Sequence, residues 1–405
     1  MISSVPLSDV LTFHRGLTFK PEDRVEVGSN DSIVCFRTKN IQEELDESDL
    51  IAIPSAIMKR EELEVITGDI LISTANSWDL VGKCVRVKTT KFRSTLGGFI
   101  SLLRPKANTV DPDYLYRFLM MDSTQHRIRN LGKQTTNISN LDRVRFLEIE
   151  IPLPPLETQK QIAAILEKAD QLRKDCQQME QELNNLAQSV FMDMFGDPVS
   201  NPKGWEKSKL GSLVSVMSGA TPSKSKTEYW KGDFPWVSPK DMKSNEINDS
   251  IDHVNQVVFK ETNLKMISVD SILIVVRGMI LAHTVPIAIV KTPVSINQDI
   301  KALALKENKI KPEMLLNILH AMHSSILSIV STAAHGTKRI DINDLLNLDI
   351  ITPSLDVQTK YLNAIKSIKS ALEAKSGIGL DVQELFNSLM QKAFKGDLNI
   401  KTKAA

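Results

Sequence analysis

The sequence predicts an α+β fold: two mixed α/β regions separated by two long coiled-coil helices packed antiparallel, forming a pseudo-twofold internal repeat. Three observations predict it. The chain has 405 residues, too many for one ordinary core and suited to two to four domains. A short motif recurs about half a chain apart, and each copy opens a segment with helical apolar spacing that closes at Gly-Asp. On these grounds the chain divides into a globular region at 1–153, a long helix at 154–198, a second globular region at 199–352, a second long helix at 353–397 and a tail at 398–405.

In each globular region, short β-branched runs read as strands. Gly68-Asp69-Ile70-Leu71-Ile72-Ser73 resembles Val269-Asp270-Ser271-Ile272-Leu273-Ile274, a turn into a buried strand in both cases. One helix is expected from Asp113 to Arg129 and one from Pro312 to Ser331. After a glycine-led polar loop, Ile138-Ser139-Asn140-Leu141 matches Ile342-Asn343-Asp344-Leu345.

The first long helix follows Pro154-Pro155, which blocks helix upstream, and ends at Gly196 and Pro198. Ile165, Ala169, Leu172, Cys176, Met179, Leu183, Leu186 and Val190 alternate steps of four and three, the spacing of an apolar seam that faces a partner helix. At 1.5 Å per residue the helix would run roughly 58 Å. In the second helix, Ile365, Ile368 and Leu372 form one seam, and Val382, Leu385 and Leu389 another. Between them lies Ser376-Gly377-Ile378-Gly379. Each glycine costs a helix about 1 kcal/mol relative to alanine, so a kink or break is expected there. The simplest partner for each seam is the other copy.

Composition excludes several classes. Hydrophobic residues at 42% and charged residues at 24% are ordinary for a globular chain. No apolar run is long enough to span a bilayer, and the N-terminal stretch has no signal-peptide pattern. Cys35, Cys84 and Cys176 are isolated, which argues against a disulfide framework or a zinc ribbon and for a reducing cytoplasm. The net charge of +1 does not announce a nucleic-acid binder, so if the chain binds DNA its cations must be gathered on one face or a partner must supply more of the phosphate contacts.

The run Ile151 to Leu166, IPLPPLETQKQIAAIL, resembles the junction of target-recognition domain and conserved helix in type I restriction–modification specificity subunits. Its second copy begins at Pro353. Gly219-Ala-Thr-Pro-Ser-Lys224 with Trp230, the run Pro235 to Asp241, and Asn297-Gln298-Asp299 are similar to one class of target-recognition domain; the first region has only Arg15-Gly16-Leu17-Thr18 in place of Gly-x-Thr-Pro. The resemblance implies that each region reads one half of a split target in double-stranded DNA. It implies that the helices act as ruler and as dock for two methyltransferase subunits, and that restriction/translocase subunits join that complex. S-adenosylmethionine, ATP and Mg²⁺ would belong to those partners, with no cofactor in this chain and no membrane involved. Elements of this length could hold two readers about one DNA turn apart, roughly 34–36 Å.

Base reading needs paired donors and acceptors: Arg or Lys for guanine, Asn or Gln for adenine. The best loop in the first half carries Lys133, Gln134, Thr135, Thr136 and Asn137, and its counterpart, led by Gly336, carries Lys338 and Arg339. Lys224, Lys226 and Lys240 are further candidates that could equally form a solvated face. Arg277 follows the apolar run Ile272 to Val276. Trp78, Trp230 and Trp236 read as packing or loop-bracing residues, and Cys176 as a small core residue. For docking and the helix seam the candidates are Ile165, Leu172, Met179, Leu183, Leu186, Ile365, Leu372, Leu385 and Leu389.

No catalytic residue is assigned. The phosphate-binding loop and the nucleophile elbow are missing from the sequence. Asn201-Pro202-Lys203-Gly204-Trp205 only partly matches an adenine methyltransferase motif and reads as a linker; Glu373-Ala374-Lys375 reads as helix surface charge. The seven histidines show no metal spacing. A coiled-coil scaffold without DNA, favoured by the near-neutral charge, and a DNA-binding subunit of another defence assembly remain the alternatives.

Overall fold

The structure, a computed structural model, describes residues 3–134, 139–333 and 336–398. The chain divides into two compact units, Met1–Gln178 with Ser376–Ala405, and Met179–Lys375. Two long helices, Leu156–Phe195 and Leu355–Lys395, each contribute one half to one unit and one half to the other.

In the first unit a four-stranded antiparallel sheet forms from β1 (Leu11–Arg15), β2 (Ile70–Ser73), β4 (Cys84–Arg86) and β5 (Ile100–Pro105), ordered β1-β5-β2-β4. The small strand β3 (Ala75–Asn76) follows β2 and pairs with the hairpin of β6 (Lys133–Gln134) and β7 (Ser139–Asn140). The central strands are apolar on both sides because both faces are covered. Ile70, Ile72 and Leu103 pack toward Tyr114, Leu115, Phe118 and Leu119 of the helix Pro112–Met120. Leu71, Val85 and Leu102 face a second cluster with Val34, Phe36 and Leu96.

The second unit repeats the plan. β8 (Val214–Ser218), β9 (Glu246–Ile247), β10 (Ile272–Val275), β11 (Ile287–Val290) and β12 (Ile300–Leu305) form a sheet ordered β8-β12-β10-β11-β9. A hairpin of β13 (Val330–Thr332) and β14 (Lys338–Ile340) hangs from its end. β1, β2 and β5 thus correspond to β8, β10 and β12.

Each unit takes the start of one long helix and the end of the other. In the first unit Ile162, Ala163 and Leu166 share a core with Met390, Ala393 and Phe394, whose ring lies 5.0 Å from Tyr114 and 5.4 Å from Phe118. In the second, Phe191 and Phe195 stack on Tyr361 at 5.7 and 5.1 Å. Both pairings are antiparallel, as expected.

Gln159 and Gln358, the glutamines shared by the two copies of the repeated motif, fasten helix to sheet domain. Gln159 is almost fully buried; its Oε1 accepts from the Asp111 amide at 2.8 Å and its Nε2 donates to the carbonyls of Pro154 and Thr109 at 2.8 and 3.3 Å. Gln358 makes the equivalent bonds to the Lys311 amide and the Pro353 and Lys309 carbonyls. Gln358→Ala would strand these backbone groups and is expected to cost about 1–3 kcal/mol, read as a lower urea midpoint.

Four expectations are corrected. The second helix runs unbroken from Leu355 to Lys395, without a break at Gly377 and Gly379. Both glycines face open space, and a penalty of about 1 kcal/mol each is small against 41 residues of helix anchored at both ends. The helix expected over 113–129 is two, Pro112–Met120 and Asp122–Asn130, broken at Met121 (ψ 133°), and the buried Gln125 amide takes up the Leu119 carbonyl at 2.7 Å. The helix over 312–331 is likewise two, Pro312–Ala321 and His323–Ser328. The match of 138–141 to 342–345 is out of register: Ser139–Asn140 is strand, whereas Ile342–Leu346 is helix. The true counterpart of that helix is Arg143–Leu147, and Asp142 and Asp341 cap the two by accepting from their first amides.

The seam also differs. Cys176 is buried and Leu183, Ile365 and Leu372 pack against the second core, with Leu389 against the first. Leu172, Met179, Leu186 and Leu385 are instead 43–50% exposed, and Ile165 is half-buried. Along the first helix the exposure alternates: Cys176, Leu183 and Val190 pack, while the interleaved Leu172, Met179 and Leu186 do not, so only one of the two rows of the seam is covered. The face that packs includes Ile162, Leu166, Cys176, Leu183 and Ala187.

Candidate nucleic-acid interface

In the second unit, three strands finish or start at one edge of the sheet. Ser218 at the end of β8 is opposite Lys301, and Val275 at the end of β10 is opposite Ile300. The loops at 219–226, 276–279 and 297–299 leave from this edge. Gly219 is required there, since a Cβ would lie 2.0 Å from the Ile296 carbonyl oxygen. The β13–β14 hairpin is tied to the same edge: the Ile340 amide donates to the Val276 carbonyl at 2.9 Å and the Gly278 amide to that of Lys338 at 3.0 Å.

This brings together Arg277, Lys338 and Arg339, three candidates named from sequence. Arg277 and Arg339 are opposed in an antiparallel bridge, both exposed, and neither makes an ion pair among the described residues. Directly opposed like charges destabilise a strand pair, so an anion placed between them would offset a cost built into the fold. Lys338 donates to Thr332 Oγ1 at 2.8 Å.

Lys224, Lys226 and Lys240 are exposed but differ in their partners. Lys226 bonds the Tyr229 hydroxyl at 2.8 Å and pairs with Glu261; the Tyr229 bond, before the Glu261 contact, holds its pKa above the usual lysine value. Lys240 pairs with Asp252 at 2.7 Å, which raises its pKa likewise. Trp230 and Trp236 stack edge-to-face at 5.0 Å and donate to the Ser223 and Ala220 carbonyls, so they both pack and brace the 219–224 loop.

The first unit has the equivalent edge. Arg15 is opposite Ser101 and Ser73 opposite Ile100, and a Cβ at Gly16 would lie 2.3 Å from the Gly97 carbonyl oxygen. The β6–β7 hairpin attaches here through β3. Lys133 and Gln134 form β6; Thr135, Thr136 and Asn137 lie outside the described residues. Sequence reasoning missed Phe99, which is 66% exposed at this edge in the place that Asp299 takes in the second unit. Trp78, partly exposed, lies under the Arg129 guanidinium at 5.8 Å. An aromatic after Gly97-Gly98 was the available signal.

No group of His, Cys, Asp or Glu among the described residues could hold a metal ion. Burial pushes the Cys35 thiol up to about 12 and raises Cys84 as well, so neither is a nucleophile near neutral pH. No helix among the described residues is long and apolar enough to cross a membrane.

The family model described as "Type I restriction modification DNA specificity domain" matches residues 2–185 and again 202–380. The chain belongs to this family. Relatives of the specificity family agree over most of its length. The StySPI specificity subunit of Salmonella potsdam is 25% identical over 99% of this chain and 90% of its own. The putative MjaX specificity subunit of Methanocaldococcus jannaschii is 25% identical over 85% and 82%. The EcoR124I/EcoR124II specificity subunit of Escherichia coli is 29% identical, but the match spans 54% of each chain. Among solved structures, the S subunit of a type I system from M. genitalium superposes with a TM-score of 0.58 at 15% identity, covering 97% of this chain and 96% of that one. A chain from a structural study of type I R-M complex assembly and conformational transition gives 0.60 at 17% identity, covering 98% of each. These last two likenesses show that the chain shares its fold with those chains over nearly its whole length.

Proposed function

We propose that this chain is the non-catalytic, DNA-reading subunit of a type I restriction–modification complex in the cytoplasm. Each unit reads one half of a split double-stranded target. The chain docks two methyltransferase subunits, and restriction/translocase subunits join them; S-adenosylmethionine, ATP and Mg²⁺ act in those partners. The observation that carries this reading is the repeated sheet edge, built alike in both units but lined differently: opposed arginines in one, an exposed phenylalanine in the other. A repeated frame with unlike side chains suits a bipartite target whose halves differ. Support for docking comes from Leu172, Met179, Leu186 and Leu385, apolar side chains left exposed on the long helices.

Long-read sequencing of adenine methylation tests it, in cells carrying this chain with its methyltransferase and in cells lacking the chain. A split motif that appears only with the chain is expected. Assembly of the complex without new methylation would point to an inactive or repurposed subunit.

A further inference from the structure

The first unit carries a basic trough that the reading edge alone does not explain. It measures about 510 Å³ and runs along β1, the edge strand of the sheet. Thr12, His14, Arg15, Arg60, Lys106 and Arg143 line it, and no carboxylate does among the described residues.

Its cations are strung out along the strand. Arg15 is the last residue of β1, at the reading edge, and Arg60 is beside it, donating to the Arg15 carbonyl at 2.9 Å. The Arg143 guanidinium sits 5.4 Å over the Phe13 ring in the middle. Lys106 is at the far end and donates to the Ser8 carbonyl at 2.9 Å. Between them, His14 bonds Thr12 Oγ1; burial, then Arg104, holds its pKa below the usual histidine value, so the ring adds no charge near neutral pH. Arg60 has one weak contact, 4.0 Å to Glu62, while Arg15 and Arg143 make no ion pair among the described residues.

The second unit provides a control within the chain. Lys306 donates to the Gly211 carbonyl as Lys106 does to that of Ser8, so this lysine belongs to the shared frame. The other positions diverge: Val216, Met217 and Ser218 stand where Phe13, His14 and Arg15 stand, and Ile342 where Arg143 stands. The frame therefore does not need the arginines.

We propose that this trough is a phosphodiester-binding track that holds the DNA backbone flanking the half-site read by the first unit. The proposal rests on the DNA-reading function above. Five strand residues span about 17 Å, and duplex DNA presents a phosphate every 3.4 Å of axis per strand, so cations spread along β1 match a polyanion rather than a single small ion. The track starts where the reading loops leave the sheet, so a backbone passing that edge continues into it. Contacts of this kind position the protein and carry no sequence information.

The test is DNA affinity of the full chain assembled with its methyltransferase subunits, against a random-sequence duplex over a range of salt. For Arg15→Gln with Arg143→Gln, weaker binding is expected, with the slope of log K against log salt shallower by about 1.8, since each phosphate contact contributes about 0.9. The pair Arg15→Lys with Arg143→Lys should keep the wild-type slope, and thermal unfolding checks that each variant folds. An unchanged slope in a folded glutamine variant overturns the track while leaving DNA reading intact. Absence of DNA binding by the wild-type complex refutes the reading itself. Inorganic phosphate binding that is lost in the glutamine variant, with duplex affinity and salt slope unchanged, would assign the trough to free phosphate instead and overturn the duplex assignment.

Discussion

Replacing Arg277 and Arg339 together by alanine is expected to weaken binding of the complex to its own site by about 30-fold to 20,000-fold, and to relax only the half-site read by the second unit. The two side chains sit opposite each other on bridged strands, exposed and without ion pairs among the described residues. A bidentate arginine–guanine contact is worth about 1–3 kcal/mol of discrimination, and two of them about twice that. Methylation sequencing of the variant reads the outcome directly. If the motif is unchanged and only the salt dependence falls, the pair contacts phosphates rather than bases. Exchanging residues 1–153 for the first region of another family member is the complementary experiment: the other half-site should change and this one should not.

Tyr361→Ala is expected to have the largest effect on stability, about 3–5 kcal/mol, the usual cost of deleting a large buried aromatic. Tyr361 is 2% exposed and stacks edge-on against both Phe191 and Phe195, joining the start of one long helix to the end of the other within the second unit. Phenylalanine keeps the ring that makes both stacking contacts. Tyr361→Phe should therefore be nearly neutral. Urea denaturation distinguishes the two variants; equal midpoints would show that the aromatic stack does not hold the helices together.

Much of this organisation is legible in sequence because it rests on local signals. The proline stop before the first long helix and the glycine-led loops each report a backbone requirement that one stretch of residues expresses alone. The hairpin cations were found for the same reason. The two glutamines stand out in the repeat, but their bonds to backbone 47–50 residues upstream do not. What escaped depends on contacts distant in sequence. Arg15 and Arg143 line one trough but are separated by most of the first unit, so no spacing links them. The exposure of Leu172 and Met179 depends on which row of the seam is covered, which a heptad count cannot decide. The continuity of the second helix through Gly377 and Gly379 reflects anchoring at Tyr361 and Phe394, far from the glycines themselves.

The way the two units share the chain has a consequence for biosynthesis. The second unit is one continuous stretch, Met179–Lys375, whereas the first waits for Ser376 onward to return. Phe394, which packs against Tyr114 and Phe118, emerges from the ribosome only after the whole of the second unit. Domains tend to close as their residues become available, and a closure spanning most of the chain is slow. The unit that begins second is thus expected to finish first. In nascent chains arrested after Lys375, limited proteolysis should spare 179–375 while cutting readily within the first region, and early protection of the first region would refute this order.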